Sequence, residues 1–496
     1  MAMNNLIDGK LDVHGITTAT ASGQKLRLGW VNNGPLNKIS TTSFPNGRRH
    51  RLGSLNSSAT AQARRVSAAS HSNSAIASSD VGPPPSEETE SLDDNHTRQL
   101  GDSLRMDKLS ILCLSSDTGG GHRASAQALY DCCVALYGNE FSFNIVDLWT
   151  THSPWPFCNM PKSYFFLVKH PWLWRLNFRC SEPNFIHEFM FSGYEAIVER
   201  RFRQAFLDYT PKLVVSVHPL MQHVPIKVLE RMRKNRSLEQ RTLFTTVVTD
   251  LTRCHSTWFH PAVDKCFVAN DVVARQAERR GLGHSQITCH GLPIRPAFSL
   301  ISKNIDKYEL RLRLGLDTLA STVMLIGGGE GMGKIATIAE ALSHRLSSSD
   351  QLIVVCGRNR SLENDLKNRK WNIKVAVKGF INNMAEYMAC CDCVITKAGP
   401  GTIAEALTCG LPIVLNGCIP CQEEGNIPYV LDNDVGAYSE EPEQIAEIVS
   451  QWFGPSKIRL GLMSERARQL GRPEATFDIV RDLANMMRGS AVAECT

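Results

Sequence analysis

Two glycine-rich segments have the composition of loops that let another molecule approach the backbone. The first is Asp117-Thr118-Gly119-Gly120-Gly121-His122, and the second runs from Gly327 to Gly333 with five glycines in seven residues. Free N–H groups at such turns can bind an anion. Neither segment has the spacing of a Walker A loop, and the first lacks the G-x-G-x-x-G fingerprint of dinucleotide enzymes. The alternative for the first is a tight turn in which His122 caps the helix that follows.

A third segment, KAGPGTIAEA from Lys397 to Ala406, is the most specific of the chain. Its glycine turn before a helix would place a diphosphate at the helix N-terminus. Glu405 would then lie one turn inside, where its carboxylate can accept hydrogen bonds from ribose hydroxyls. Downstream, the segment from Gln422 to Asn426 adds amide and carboxylate groups suited to sugar hydroxyls. We expect these polar loops to converge on one cleft.

The elements around these loops have the rhythm of parallel α/β structure. Short apolar runs alternate with helix-length segments, at 108–116, 143–149, 212–218, 242–250 and 265–270, and again in five runs between 321 and 417. The prolines of GLPIRPAF, at 291–298, suit a crossing between domains. The predicted fold class is therefore α/β, with two doubly wound Rossmann-like domains and ligand at the carboxyl ends of the strands. Two amphipathic stretches, 441–453 and 456–488, are expected to close the second domain.

The N-terminal part has a different character. The first eighty residues are basic, rich in hydroxyl side chains and poor in acids, and they lack the apolar core of a secretory signal. This composition is typical of an organelle transit peptide, the alternative being an untargeted disordered tail. We predict three parts: a transit peptide with its linker at 1–106, a first domain at 107–295 and a second at 296–488, whose final helix can cross back to the first.

Composition also limits the choice of partners. The net charge of +5 arises in the basic N-terminal segment, so the remaining chain is close to neutral and no nucleic-acid partner is expected. No stretch approaches about 18 uninterrupted apolar residues, so membrane contact would be peripheral. The sixteen cysteines are expected to be mostly reduced core residues. Cys390 with Cys393 and Cys418 with Cys421 leave a zinc site and a redox-sensitive pair as alternatives.

Nine long motifs resemble those of a known family. The chain is similar to the plant monogalactosyldiacylglycerol synthases, within the MurG-like glycosyltransferases of the GT-B fold, over about 107–486. The motifs are SSDTGGGHRASA, SVHPLMQHVP, TTVVTDL, GLPIRP, GGGEGMG, VCGRN, VKGF, ITKAGPGTIAEA and QEEGNIPYV. The resemblance implies two domains that face each other across a cleft. It also implies transfer of galactose from UDP-galactose to diacylglycerol, with inversion to a β-linkage, on a chloroplast envelope membrane after removal of the transit peptide.

The resemblance assigns catalytic roles to two residues. His122 becomes the general base that deprotonates the lipid hydroxyl, for which an imidazole of near-neutral pKa is suited. Asp117 would orient it, although an acidic turn residue is an equal alternative. Asp250, at the end of a buried strand, is the rival base.

The donor is expected mainly in the second half. The resemblance places Arg295 near the nucleotide, the two later glycine loops around the diphosphate and the backbone of Phe380 at the uracil. It places Glu405 on the ribose, and Gln422, Glu423 and Asn426 on galactose. The full predicted set is Gly121, Arg295, Gly328, Gly329, Glu330, Gly331, Gly333, Gly357, Arg358, Phe380, Lys397, Gly399, Pro400, Gly401, Thr402, Glu405, Gln422, Glu423 and Asn426. Loop amides and a helix dipole can stabilise the departing UDP, so neither a metal nor a tightly bound cofactor is expected.

The acceptor side is expected within residues 149–194, which hold four of the eight tryptophans together with basic residues. This composition suits a loop at a membrane interface, the alternative being core packing of an irregular insertion. By resemblance, Trp155, Pro156 and Trp258 contact the lipid acceptor or an anionic phospholipid activator, phosphatidylglycerol or phosphatidic acid. The resemblance also allows a homodimer. Pro420-Cys421 replaces small residues before Gln422, which can alter the mobility of the donor loop.

Three other functions stay open in the sequence. A diacylglycerol glucosyltransferase that uses UDP-glucose would share the fold, because one hydroxyl orientation separates the donors. A UDP-sugar epimerase shares the two-sheet architecture but needs no lipid entry. A catalytically silent lipid-binding protein is disfavoured by the intact glycine loops, His122 and Glu405.

Overall fold

A computed structural model describes residues 108–116, 120–237, 241–331 and 333–495. The predicted transit peptide and linker, and also Asp117, lie outside these residues. The described residues belong to one compact unit that contains two six-stranded sheets.

The first sheet is parallel throughout and has the order β2-β1-β3-β4-β5-β6. Residues of β1, β3, β4 and β5 are almost all buried, as expected for strands covered by helices on both faces. The strands are β1 Leu109–Leu114, β2 Phe141–Val146, β3 Leu213–Ser216, β4 Leu243–Val247, β5 Lys265–Val268 and β6 Ile287–Cys289.

Seven helices belong to the described part of this first half. The crossover helix after β1 begins at Gly120, so the last two glycines of the first loop and His122 form its first turn. The helices are α1 Gly120–Tyr137, α2 Leu148–His152, α3 Met160–Lys169, α4 Pro171–Ser181, α5 Asn184–Tyr209, α6 His223–Lys234 and α7 Asp271–Arg279. Short 3-10 turns lie at Phe157–Asn159, Pro219–Met221, Ser256–Trp258 and His284–Gln286.

The second sheet is also parallel, with the order β12-β11-β10-β7-β8-β9. Its central strands are fully buried. The strands are β7 Thr322–Ile326, β8 Gln351–Val355, β9 Lys374–Lys378, β10 Cys393–Thr396, β11 Ile413–Leu415 and β12 Gly436–Tyr438. The two sheets confirm the predicted fold class.

Helices cover this sheet on both faces. The helices that follow β6 are α8 Pro296–Ser302, α9 Lys307–Arg313, α10 Ile335–Arg345, α11 Arg360–Lys367, α12 Met384–Ala389, α13 Pro400–Thr408, α14 Asn426–Asp432, α15 Pro442–Phe453, α16 Lys457–Leu470 and α17 Ala475–Cys495. Proline opens α8, α13 and α15 at the first helical position, where its missing N–H costs nothing.

Each sheet reverses its strand order once, and ligands of open α/β sheets bind at such points. In the first sheet the reversal lies between β1 and β3, so the start of α1 meets the end of β3. In the second it lies between β7 and β10, so the loop from Gly327 to Gly333 lies beside the turn from Lys397 to Gly401. The topology thus gathers the predicted glycine loops at the two switch points.

The last helix packs on the first half of the chain. Ile479, Val480 and Leu483 of α17 are buried in the cluster that holds Ala126 and Leu129 of α1. The Thr476 hydroxyl exchanges hydrogen bonds with the backbone of Ile294, at 2.9 and 2.6 Å.

The structure corrects three expectations about elements. Residues 149–194 were expected to be a loop at a membrane interface or an irregular insertion, but they form most of α2, helices α3 and α4, and the start of α5. The stretch 456–488 is two helices, interrupted at Gly471, whose ψ of 143° leaves the helical region, and at Pro473. The sequence pattern also missed β6 and β12, which are three residues each and too short to give a periodic signal.

Candidate functional site

His122 lies in the first turn of α1, at the switch point of the first sheet. Its Nδ1 is 3.1 Å from the Val217 carbonyl, just past β3, and 2.8 Å from the Thr249 hydroxyl, just past β4. The ring is 4.6 Å from that of His218 and 5.9 Å from that of Trp258, measured between centroids. The ends of three adjacent strands therefore hold one imidazole.

These partners decide which ring nitrogen carries the proton. A carbonyl can only accept, so Nδ1 of His122 donates to Val217 and the neutral ring leaves Nε2 unprotonated. Burial lowers the pKa of His122 to about 4, opposed by the Val217 hydrogen bond. This corrects the expectation of a near-neutral pKa, because the ring is only 9% exposed and its cation is poorly solvated. At neutral pH the ring is in the form that can accept a proton.

Asp250 is a titratable acid in the same buried region, next to Thr249 and Trp258. Its carboxylate is buried and accepts a 2.6 Å hydrogen bond from Nε1 of Trp258. Burial raises the pKa of Asp250 to about 7, while the Trp258 hydrogen bond opposes the shift and the charge of Glu423 adds to it. Asp250 is thus partly protonated near neutral pH and stays the rival of His122.

The second glycine loop packs against the loop after β8. Gly331 and Gly357 have positive φ of 59° and 58°. A Cβ at Gly331 would lie 2.1 Å from the Cys356 carbonyl oxygen, and one at Gly357 would lie 2.4 Å from that of Gly329. Arg358 is held between the Glu330 carboxylate, at 2.7 Å, and the half-exposed ring of Phe380, 5.1 Å from the ring centroid. These predicted donor residues form one contact group.

Helix α13 begins at the other side of the second switch point. Gly399 is its N-cap, with Pro400, Gly401 and Thr402 in the first turn, so the N–H groups of this turn are available to an anion. Glu405 accepts a bidentate pair from Arg295, at 2.9 and 2.8 Å. Burial raises the pKa of Glu405 and Arg295 opposes this. The structure thus joins two predicted nucleotide contacts, while each carboxylate oxygen keeps a lone pair for a ribose hydroxyl.

The predicted galactose-binding residues lie in the segment 418–426, called the sugar loop here. The Glu423 carboxylate pairs with the Lys397 ammonium and accepts from the Ile419 amide at 2.9 Å. The buried Asn426 accepts from the Thr252 hydroxyl at 2.7 Å and donates to the Ala398 carbonyl at 2.8 Å. Asn426 therefore connects the two halves of the chain and has its amide engaged within the protein.

The three predicted lipid contacts fall in two different environments. Trp155 is 78% exposed and Pro156 beside it is exposed as well. Trp258 is fully buried, next to Asp250 and His122. The structure gives Trp258 a positioning contact with Asp250 and no surface of its own, so the expected direct lipid contact does not fit this conformation.

The structure also places the alternatives that involve cysteine and metal. Cys390 follows α12 and Cys393 begins β10, while Cys418 and Cys421 lie in the sugar loop. Within the described ranges, no group of three or more His, Cys, Asp or Glu side chains is arranged to hold a metal ion. Burial raises the pKa of the Cys418 thiol to about 11, so the thiol is protonated at neutral pH and poorly reactive.

Sequence reasoning missed several residues that the fold brings to the site. Thr249 and the Val217 carbonyl fix the His122 ring, and Tyr164 donates to Gln422 at 3.3 Å. The charges of Glu423 and Asp250 add to burial in raising the pKa of Tyr164, which locates it near both halves of the site. Val217 and Thr249 carry one usable signal, since they lie one and two residues after β3 and β4, the two strands that follow β1 in the sheet.

Two family models match the chain, one in each half. A family model described as monogalactosyldiacylglycerol (MGDG) synthase matches residues 122–294, and one described as glycosyltransferase family 28 C-terminal domain matches residues 322–426. Among solved structures, the MurG of Acinetobacter baumannii matches with a TM-score of 0.48 at 14% identity, covering 76% of this chain and 99% of that one. No helix in the described ranges is long and apolar enough to cross a membrane.

Curated relatives match over most of their length. Monogalactosyldiacylglycerol synthase 1, chloroplastic, of Arabidopsis thaliana is 46% identical over 384 residues, which are 76% of this chain and 71% of that protein. The chloroplastic monogalactosyldiacylglycerol synthase of Spinacia oleracea is 46% identical over 384 residues, 76% of this chain and 72% of that protein. With this identity over more than two thirds of both chains, the chain belongs to the monogalactosyldiacylglycerol synthase family.

Proposed function

We propose that this protein transfers galactose from UDP-galactose to the free hydroxyl of sn-1,2-diacylglycerol and makes β-monogalactosyldiacylglycerol. The observation that carries the proposal is the position of His122. Its neutral ring is oriented by Val217 and Thr249 at the switch point of the first sheet. The second sheet presents its predicted donor residues at its own switch point.

The reaction follows from these groups. Nε2 of His122 accepts the proton of the lipid hydroxyl while the hydroxyl oxygen attacks C1 of galactose. The bond from C1 to the UDP oxygen breaks on the opposite face, so the configuration at C1 inverts. Backbone N–H groups of the second glycine loop and of the first turn of α13 stabilise the charge that develops on UDP. Asp117 remains a proposed orienting residue.

The donor assignment rests on the contacts around Glu405 and Glu423. Arg295 holds Glu405 where α13 faces the diphosphate site, which suits a carboxylate that accepts from ribose. Lys397 pairs with Glu423, and Gln422 precedes Glu423 in the sugar loop. The side chains of Gln422 and Glu423 can therefore offer polar groups to galactose hydroxyls. The side chains of Phe380 and Arg358 contact each other and are exposed to solvent, so a uracil can stack or pair there.

The acceptor enters from an anionic lipid surface. Residues 148–181 contain Lys162, Lys169, Arg175 and Arg179 and no acidic residue. Two aromatic side chains of the same segment, Trp155 and Trp172, are more than two-thirds exposed. Interfacial aromatics and cations of this kind favour the headgroup region of an anionic bilayer. Phosphatidylglycerol or phosphatidic acid is the proposed activator.

The membrane proposed for this contact is the plastid envelope, reached after removal of the transit peptide. The relatives are named chloroplastic, and the composition of the first eighty residues is that of a transit peptide. We propose that the protein attaches peripherally to this membrane and that it assembles as a homodimer. The molecular mass in solution tests the homodimer.

The test measures product and UDP release by the full chain, with UDP-galactose and UDP-glucose compared in vesicles that contain phosphatidylglycerol, with and without diacylglycerol. Turnover confined to UDP-galactose with diacylglycerol, with galactolipid as product, is the expected result. Preference for UDP-glucose would replace the product with a glucolipid. Turnover indifferent to diacylglycerol would refute the lipid acceptor, and donor binding without turnover would favour a silent lipid-binding homologue.

A further inference from the structure

Helices α3 and α4 form a hairpin that contacts the sugar loop from the first half of the chain. Nε1 of Trp174 donates to the Pro420 carbonyl at 2.8 Å. The Tyr164 hydroxyl donates to Oε1 of Gln422 at 3.3 Å, and Arg175 pairs with Glu424 at 3.3 Å. One hairpin therefore contacts three alternate residues of the sugar loop, Pro420, Gln422 and Glu424.

The inner face of the hairpin is aromatic and continues to the loop that follows β4. Tyr164 and Trp174 stand edge to face at 5.4 Å between ring centroids, and Trp174 is 5.9 Å from Phe178. Phe178 in turn lies 4.8 Å from His255, which precedes the Trp258 turn. The hairpin thus lies between the sugar loop and the segment that positions Asp250.

The outer face of the same hairpin has a different composition. Phe166, Trp172 and Leu176 are 57%, 68% and 54% exposed. Trp172, Leu176 and Arg179 follow helical spacing, so they share one side of α4, whereas Trp174 and Phe178 share the other. With basic residues and no acid in the segment, the outer face complements an anionic lipid surface.

We propose that the hairpin couples a lipid surface to sugar binding, with Trp174 and Tyr164 as positioning residues for the sugar loop. Binding of the outer face to an anionic bilayer restricts the motion of the hairpin. The contacts of the inner face then hold Gln422 and Glu423 in position for the hexose. A ligand that meets an already ordered loop binds with less loss of conformational entropy. The inference rests on the proposed function, because it takes the hexose of the donor as the group that the sugar loop binds.

The effect should be specific for the sugar part of the donor. UDP lacks the hexose, so its affinity should not respond to the ordering of a loop that binds the hexose. UDP-galactose should bind more tightly when vesicles are present, by about fivefold or more, which is the low end of typical coupling between two sites. By the same linkage, UDP-galactose should increase binding of the protein to vesicles by the same factor.

The experiment is calorimetric titration of the full chain with UDP and with UDP-galactose. Each titration is made without lipid and with vesicles of phosphatidylcholine and phosphatidylglycerol that contain no diacylglycerol. Trp174→Phe removes the N–H donor and keeps the ring, and Tyr164→Phe does the same for the hydroxyl. Each variant should keep its affinity for UDP and its sedimentation with vesicles, while the lipid-dependent gain for UDP-galactose falls by about threefold, the usual share of one hydrogen bond.

Trp371→Phe is the matched control. Trp371 also donates from its indole to a backbone carbonyl, that of Leu366 at 3.1 Å, but it precedes β9, at the opposite end of that strand from Phe380. Its variant should keep the full lipid-dependent gain. Equal tightening of UDP and UDP-galactose, no tightening at all, or an undiminished gain in the Trp174→Phe, Tyr164→Phe double variant would overturn the coupling. Formation of galactolipid is assayed separately, so its absence would count against the proposed function and not against the coupling.

Discussion

Two buried groups at the residue scale, His122 and Asp250, have pKa values shifted in opposite directions by the same cause. Loss of water disfavours both the imidazolium of His122 and the carboxylate of Asp250. The pKa of His122 therefore falls to about 4, and the pKa of Asp250 rises to about 7. Pairs of titratable groups separated in this way are typical of sites that transfer protons. The two groups therefore need separate tests.

His122→Ala should abolish most turnover and leave donor binding intact. Loss of a general base costs about 10²- to 10⁴-fold in kcat, whereas the UDP-galactose contacts belong to the second sheet. The measurement is kcat beside the dissociation constant of UDP-galactose. His284→Ala, which changes a fully exposed histidine, serves as control. Near-normal turnover of His122→Ala would transfer the role of base to Asp250.

Asp250→Asn should change how stability depends on pH. The folded pKa of Asp250 lies above its unfolded value, so the native chain binds the extra proton between about pH 4 and 7, and its stability falls as pH rises through 7. The asparagine variant lacks this loss, so its melting temperature relative to the unaltered chain should rise from pH 5 to pH 8. Thermal unfolding at both pH values measures the difference. A constant offset would show that Asp250 is ionised in the folded chain at both pH values.

At the scale of elements, the second glycine loop and the loop after β8 depend on each other. Gly331→Ala should disrupt the contact with the loop after β8 and weaken UDP binding by about tenfold or more, because the new Cβ would overlap the Cys356 carbonyl and strain a positive φ. Gly315→Ala is the control for backbone strain alone, since Gly315 also has a positive φ but has open space around it. Calorimetric titration with UDP compares the variants. Equal affinities would mean that the close approach is not needed for the donor site.

At the scale of the whole molecule, α17 stabilises a half of the chain far from it in sequence. Leu483→Ala should cost about 2–5 kcal/mol of unfolding free energy, as a large-to-small change in a core does, because Leu483 is 1% exposed against α1. Leu462→Ala, on the half-exposed side of α16, should stay within about 0.5 kcal/mol. Denaturant unfolding gives both values. A small effect of Leu483→Ala would show that α1 is stable without α17.

The sequence by itself determined the fold class and the position of most strands along the chain, and it predicted the type of site. Buried parallel strands are near-continuous apolar runs, and glycine turns before helices mark where a phosphate can approach, so both are visible locally. The motifs from Ser115 to Val430 also indicated the family. Short edge strands such as β12, and the break between α16 and α17, lacked a periodic signal.

Only the tertiary structure decided how the site residues are engaged. Arg295 and Glu405 are 110 residues apart, and Thr252 and Asn426 are 174 apart, so their pairing depends on how two sheets meet. The shifted pKa of His122 likewise comes from burial by three strand ends and a tryptophan, none of which is adjacent in sequence. Local patterns record which backbone a residue prefers, but contacts across a cleft and the loss of water around a charge are properties of the assembled fold.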